Sequence, residues 1–144
     1  MTAPVNIKDS KTGNTAKVSK AGQLIVAPIQ YSDPISKSLN AINTAFNFVT
    51  PEQNKSIVIT DIIASADKNV SNTTPANVVI YEALAADTLT VDEAIVIPQL
   101  VRASNVSFTG LNILVPEGKW INAKTDDANI LVTIMFYRIS AEDV

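Results

Sequence analysis

Residues 111–139 read LNILVPEGKWINAKTDDANILVTIMFYRI: three β-type runs, two turn signals between them, and no helical period. Pro116-Glu117-Gly118 marks the first turn, and Thr125-Asp126-Asp127-Ala128-Asn129 marks the second. In the last run Ile130, Val132, Ile134 and Phe136 share one face, and all are apolar. Asn129, Leu131, Thr133, Met135 and Tyr137 take the other face. A period of two with one wholly apolar face is what a half-buried antiparallel strand requires. The stretch therefore predicts an all-β chain.

Upstream the same signals recur. Phe46-Asn47-Phe48-Val49 runs into the turn Pro51-Glu52-Gln53-Asn54. Residues 56–66, SIVITDIIASA, form a strong strand pattern whose alternation slips near Asp61. A β-bulge there would keep Asp61 out of the core. Residues 67–75 are a polar loop, 76–83 a strand, 84–92 a loop or short helix, and 94–101 a strand carrying Pro98. Residues 107–115 and 120–124 complete the set before the last strand. Residues 31–45 pull two ways. Ile35, Leu39, Ile42 and Phe46 sit at helical spacing, but Asp33-Pro34 and the Ser and Asn residues around them are poor helix formers. The expectation is a loop followed by a strand over residues 38–43. About eight strands joined by turns fit an antiparallel β-sandwich or jelly roll, with no helix to make a βαβ unit. This domain is expected to span residues 23–144 and to begin with a short strand, QLIVAPI, at 23–29.

Residues 1–22 read as an extended N-terminal arm. Val5 and Ile7 alternate with polar neighbours, Gly13-Asn14 supplies a turn, and Ala16-Lys17-Val18 resumes the alternation. Such a ribbon is too small to stand alone and must pack on something larger. Charge is uneven along the chain. Residues 1–40 carry Lys8, Lys11, Lys17, Lys20 and Lys37 against Asp9 and Asp33, a net +3. The remainder holds six basic and twelve acidic groups, a net −6, which gives the total of −3. The arm lysines lack arginine and interleaved aromatics, so nucleic acid is an unlikely partner. Docking on protein suits them better, with Val5, Ile7, Lys8, Lys11, Lys17, Val18 and Lys20 as the contact candidates.

Composition excludes much chemistry. The chain has no cysteine and no histidine. Disulfides, thiol catalysis and a Ser-His triad are therefore impossible, and ordinary zinc or copper sites lack their ligands. The four glycines are isolated, so no phosphate-binding loop can be written. No signal peptide and no membrane span are expected. Neither a cofactor nor a metal is expected, and the reading is of a protein without catalytic activity. Charged residues make up 17% of the chain against ~25% in a typical soluble domain, which suits a surface that meets other protein.

Three groups deserve weighing as sites. Asp126-Asp127 offers half the oxygens of a calcium site, but a hairpin turn explains the same residues. Asp61, Glu82 and Glu117 include enough carboxylates for a hydrolase pair, yet nothing in the sequence sets the spacing such a pair needs. Trp120, the only tryptophan, is expected to be buried in the core or at a subunit contact, and Tyr31, Tyr81 and Tyr137 pose the same choice.

The order of segments resembles the small structural proteins that decorate or cement the capsids of tailed bacteriophages. It is carried by SKTGNTAKV at 10–18, GQLIVAP at 22–28, FNFVTPEQNKSIVIT at 46–60, ADKNV at 66–70, VVIYEA at 78–83 and LNILVPEGKWINAKTDD at 111–127. The resemblance implies a jelly-roll-like domain, a homotrimer, and an arm that grips the major capsid protein or another virion protein. It also implies a location on the capsid surface after synthesis in the host cytoplasm. The alternative is a tail-associated, receptor-binding or carbohydrate-binding sandwich of the virion.

Overall fold

The computed structural model describes residues 34–143. The arm, its contact candidates, the strand expected at 23–29 and Tyr31 lie outside the described residues. Ten strands follow in order: β1 Ile35–Leu39, β2 Phe46–Val49, β3 Lys55–Ala66, β4 Ala76–Ala83 and β5 Glu93–Val96. Then come β6 Gln99–Leu100, β7 Asn105–Phe108, β8 Ile113–Val115, β9 Trp120–Thr125 and β10 Ile130–Ser140, closed by a short 3-10 turn at Ala141–Asp143.

Two antiparallel sheets result. In the first the order is β1-β10-β3-β7, with β8 also on β3; in the second it is β2-β9-β4-β5, with β6 also on β4. β5 and β6 share one neighbour, as do β7 and β8, so each pair is one interrupted strand. Counted that way there are eight strands. The first, eighth, third and sixth face the second, seventh, fourth and fifth, which is jelly-roll order.

The interruptions have local causes. Pro98 has no N–H to give to a ladder. It stands between β5 and β6, while its carbonyl still accepts Val78 N at 3.0 Å. Gly110, at φ 65°, stands between β7 and β8, and the next residue turns back to the sheet through Leu111 N to Thr60 O at 2.8 Å. The strands expected at 94–101 and 107–115 are thus each broken in two. The strand expected at 38–43 is displaced to β1 at Ile35–Leu39. Asn43 there adopts φ 51° in the turn to β2, a conformation that ends a strand.

The core lies between the sheets. Ile130, Val132, Ile134 and Phe136 of β10 all point into it, as the alternation predicts. Across from them the second sheet contributes Val78, Ile80, Ile121 and Ala123. The slip in β3 is a bulge. Met135 pairs with Asp61 and Phe136 with Ile59, leaving Thr60 unmatched, and Thr60 Oγ1 donates to Met135 O at 3.2 Å. Before the bulge the odd residues Ile57 and Ile59 face inward; after it the even residues Ile62, Ala64 and Ala66 do. One extra residue thus keeps a long apolar strand in the core while placing Asp61 outside.

Candidate functional site

The two sheets have unlike outer faces. On the second sheet Tyr81, Asn122 and Asn47 lie in one cross-strand row. Tyr81 and Asn122 are fully buried, although neither belongs to the apolar core cluster. The connection between β4 and β5 covers them. Tyr81 OH donates to Thr88 O at 2.7 Å, and Asn122 Nδ2 donates to Ala85 O at 3.0 Å. Asn47 Nδ2 in turn donates to Asn122 Oδ1 at 3.1 Å. Lys124 completes the fastening: its Nζ donates to Leu89 O at 2.9 Å and lies 5.5 Å from the centre of the Tyr81 ring. Burial pushes the Tyr81 hydroxyl above its ordinary range, partly offset by Asn122. Residues 84–92 therefore form a strap held by side chains that the sheet presents. Asn122 is the sequence signal for it, an amide in the middle of a short strand that needs partners once buried.

Beside the strap a cleft of about 240 Å³ opens, lined by Asn43, Asn77, Val79, Leu89, Lys124 and Asp126. Asp126 is fixed there by two bonds from one residue, Asn77 N to Oδ1 at 2.7 Å and Asn77 Nδ2 to Oδ2 at 2.9 Å. Asp127 instead accepts Asn129 N at 3.0 Å and Asn129 Nδ2 at 2.9 Å inside its own turn. The two neighbouring carboxylates thus serve different partners, and no cluster of three or more metal-ligating side chains occurs among the described residues.

The outer face of the first sheet has another character. By register it presents Leu131, Thr133, Met135, Tyr137 and Ile139 from β10, Val58, Ile63 and Ser65 from β3, Asn105 and Ser107 from β7, Leu114 from β8, and Ser36 and Ser38 from β1. Ser36 Oγ and Thr133 Oγ1 are 2.7 Å apart. Asp61 is the one charged residue that the described strands direct to this face. Leu131 and Leu114 stand 46% and 41% exposed on it, whereas Val58, between Tyr137 and Leu114, is buried.

The remaining candidates are scattered. Glu117 occupies the β8–β9 turn, where Gly118 takes φ 83°, Lys119 N donates to Pro116 O at 3.3 Å, and Glu117 Oε1 accepts Asn54 N at 2.7 Å. Glu82 is buried at the end of β4. Burial raises its carboxyl above the ordinary range, Glu93 and Asp92 add to the effect, and Lys119 opposes it while itself paired with Asp92. Asp61 accepts Gly110 N at 3.4 Å at the bulge. Asp61, Glu82, Glu117 and Asp126 thus sit at four separate places. Trp120 is half-buried opposite Ala83, outside the apolar core cluster, which corrects its expected core placement and leaves the subunit contact open. Among the described residues no helix is long and apolar enough to cross a membrane. No family model, curated protein or solved structure matches the chain.

Proposed function

We propose that this chain is a non-catalytic structural protein of a tailed-bacteriophage virion, which decorates and stabilises the capsid shell as a homo-oligomer. The observation that carries the reading is the outer face of the first sheet. Lys, Glu and Asp are depleted, and Met and Tyr enriched, in the cores of protein interfaces. Four strand positions at ~4.8 Å spacing, the longest twelve residues at ~3.4 Å each and the edge strands shorter, give a footprint of roughly 500–700 Å². That approaches the ~800 Å² per partner of a standard stable interface. A second copy of the chain is the occupant that such a face suits, with the trimer of the resemblance as the expected assembly.

The N-terminal arm has the other task. Its excess of lysine complements an acidic shell surface, which speeds docking and fixes register more than it adds affinity. Electron microscopy of particles decorated with the full chain, and with a chain lacking residues 1–22, tests the division. The shortened protein should stay folded and oligomeric yet fail to decorate. Replacing Lys8, Lys11, Lys17 and Lys20 with Ser should weaken decoration and flatten its salt dependence, because exposed charges are screened within ~8–10 Å at ordinary ionic strength. Full occupancy by the shortened chain would remove the arm as the anchor.

A further inference from the structure

We infer that the cleft between the strap and the outer face of the second sheet is a binding site for a neutral sugar ring. The inference stands on the cleft alone and does not depend on the assembly reading. Its volume of about 240 Å³ falls below the ~300–1,000 Å³ typical of pockets for larger organic ligands, so one ring is the matching size.

The lining fits hydroxyl groups better than other chemistries. Every sugar hydroxyl both donates and accepts, so it needs acceptors and donors placed side by side. Asp126 provides the acceptors. Its carboxylate is pinned at both oxygens by Asn77, at 2.7 and 2.9 Å, and each oxygen retains further lone-pair capacity. Lys124 provides donors: one ammonium proton goes to Leu89 O, and two remain. Asn43 adds an amide that can do either, from a turn residue with φ 51°. Val79 and Leu89 supply the apolar surface on which the C–H face of a ring can lie, and Leu89 is 39% exposed.

The charges select against ionic ligands. Lys124 and Asp126 cancel on the cleft wall, so neither an anion nor a cation gains net attraction. The polar groups are also held before any ligand arrives, which reduces the ordering cost of binding. Asp126 and Lys124 end on strap and sheet partners, not on each other, and remain available to a third party. The cleft opens on the second sheet, on the opposite side of the sandwich from the face assigned to self-association.

The test is an amide-resolved NMR titration of the full chain with the methyl glycosides of glucose, galactose and mannose, with N-acetylglucosamine, and with glucuronate. At least one neutral sugar should shift the amides of Asn77, Leu89, Lys124 and Asp126, with a dissociation constant on the order of 1 mM, as befits one small ring. Lys124→Met keeps the aliphatic stem and removes the donors. Asn43→Gly removes the amide at a position where glycine tolerates the positive φ. Each should weaken binding roughly tenfold, about 1.4 kcal/mol. Asn43→Gly should do so with the thermal midpoint close to that of the parent chain, whereas Lys124→Met also loses its bond to Leu89 O and should lower the midpoint slightly. Glucuronate should bind less well than the neutral sugar. The inference is overturned if no sugar shifts these amides, if the shifts fall elsewhere, or if both variants bind as tightly as the parent. Preferred binding of glucuronate would overturn the neutral class.

Discussion

The outer faces of the two sheets are made from comparable strands, but their side chains reach different ends. On the second sheet Tyr81 and Asn122 are buried beneath residues 84–92 and donate to strap carbonyls, and half-buried Asn47 beside them donates to Asn122. On the first sheet aliphatic and hydroxyl side chains predominate, and two leucines stand in solvent. A buried amide without partners costs about 1–3 kcal/mol, so the polar row is stable only with its strap in place. Exposed leucines carry no such local demand; their burial waits for a partner. The polar row of one face is satisfied within the chain by its strap, although Leu84 on that strap is 69% exposed, whereas the apolar side chains of the other face are suited to completion between chains.

Both faces rest on the same core, and the largest expected effect breaks them together. Phe136 is 2% exposed and packs between the sheets. Phe136→Ala should lower the unfolding free energy by about 3–5 kcal/mol in denaturant titration. A loss under 1 kcal/mol would mean that the interior can close around the gap.

A more selective change attacks the strap. Asn122→Ala leaves the carbonyl of Ala85 without its side-chain donor, a cost of about 1–3 kcal/mol, while Asn47 Nδ2 keeps Val49 O and Ile121 O. Hydrogen exchange should rise across residues 84–92, while the β10 amides keep their protection relative to global unfolding. Equal loss on both sheets would contradict a locally fastened strap. Tyr81→Phe removes a single hydrogen bond to Thr88 O and should cost about 0.5–1.5 kcal/mol, with the same regional signature.

The smallest effect concerns Glu82 at the end of the second sheet. Its folded-state carboxyl titrates above the ordinary range, so the native state holds the proton to higher pH than the unfolded chain does. Stability contributed by this group is therefore present at pH below the ordinary carboxylate range and is lost as pH rises through the raised value. Glu82→Gln should be slightly more stable than the parent at neutral pH and indistinguishable from it at pH 4 or lower, read from thermal midpoints across that range.

Much of this architecture is legible in the chain. The alternation of Ile130, Val132, Ile134 and Phe136 places β10, and the parity slip around Asp61 marks the bulge, because a period of two leaves one residue unaccounted for. The breaks at Pro98 and Gly110 are harder to see, since the apolar pattern runs on across both. Residues 35–46 mislead because strand residues there happen to fall at helical spacing, and only the left-handed turn at Asn43 fixes where β1 stops. The strap and its cleft are long-range features: nothing local in residues 84–92 says which sheet they cover. Asn122 shows that something polar must meet that face, and only the folded chain shows what does.

Self-association through the outer face of the first sheet is tested most directly by sedimentation equilibrium. The full chain should sediment as an oligomer at micromolar concentration. Leu114→Lys combined with Leu131→Lys introduces two charges at the most exposed leucines of that face. The variant should fall to monomer, with its circular dichroism unchanged and its unfolding midpoint no longer dependent on protein concentration, because a desolvated apolar centre carries most of an interface's energy. An unaltered oligomer in the variant, or a monomeric parent at high concentration, would contradict the account.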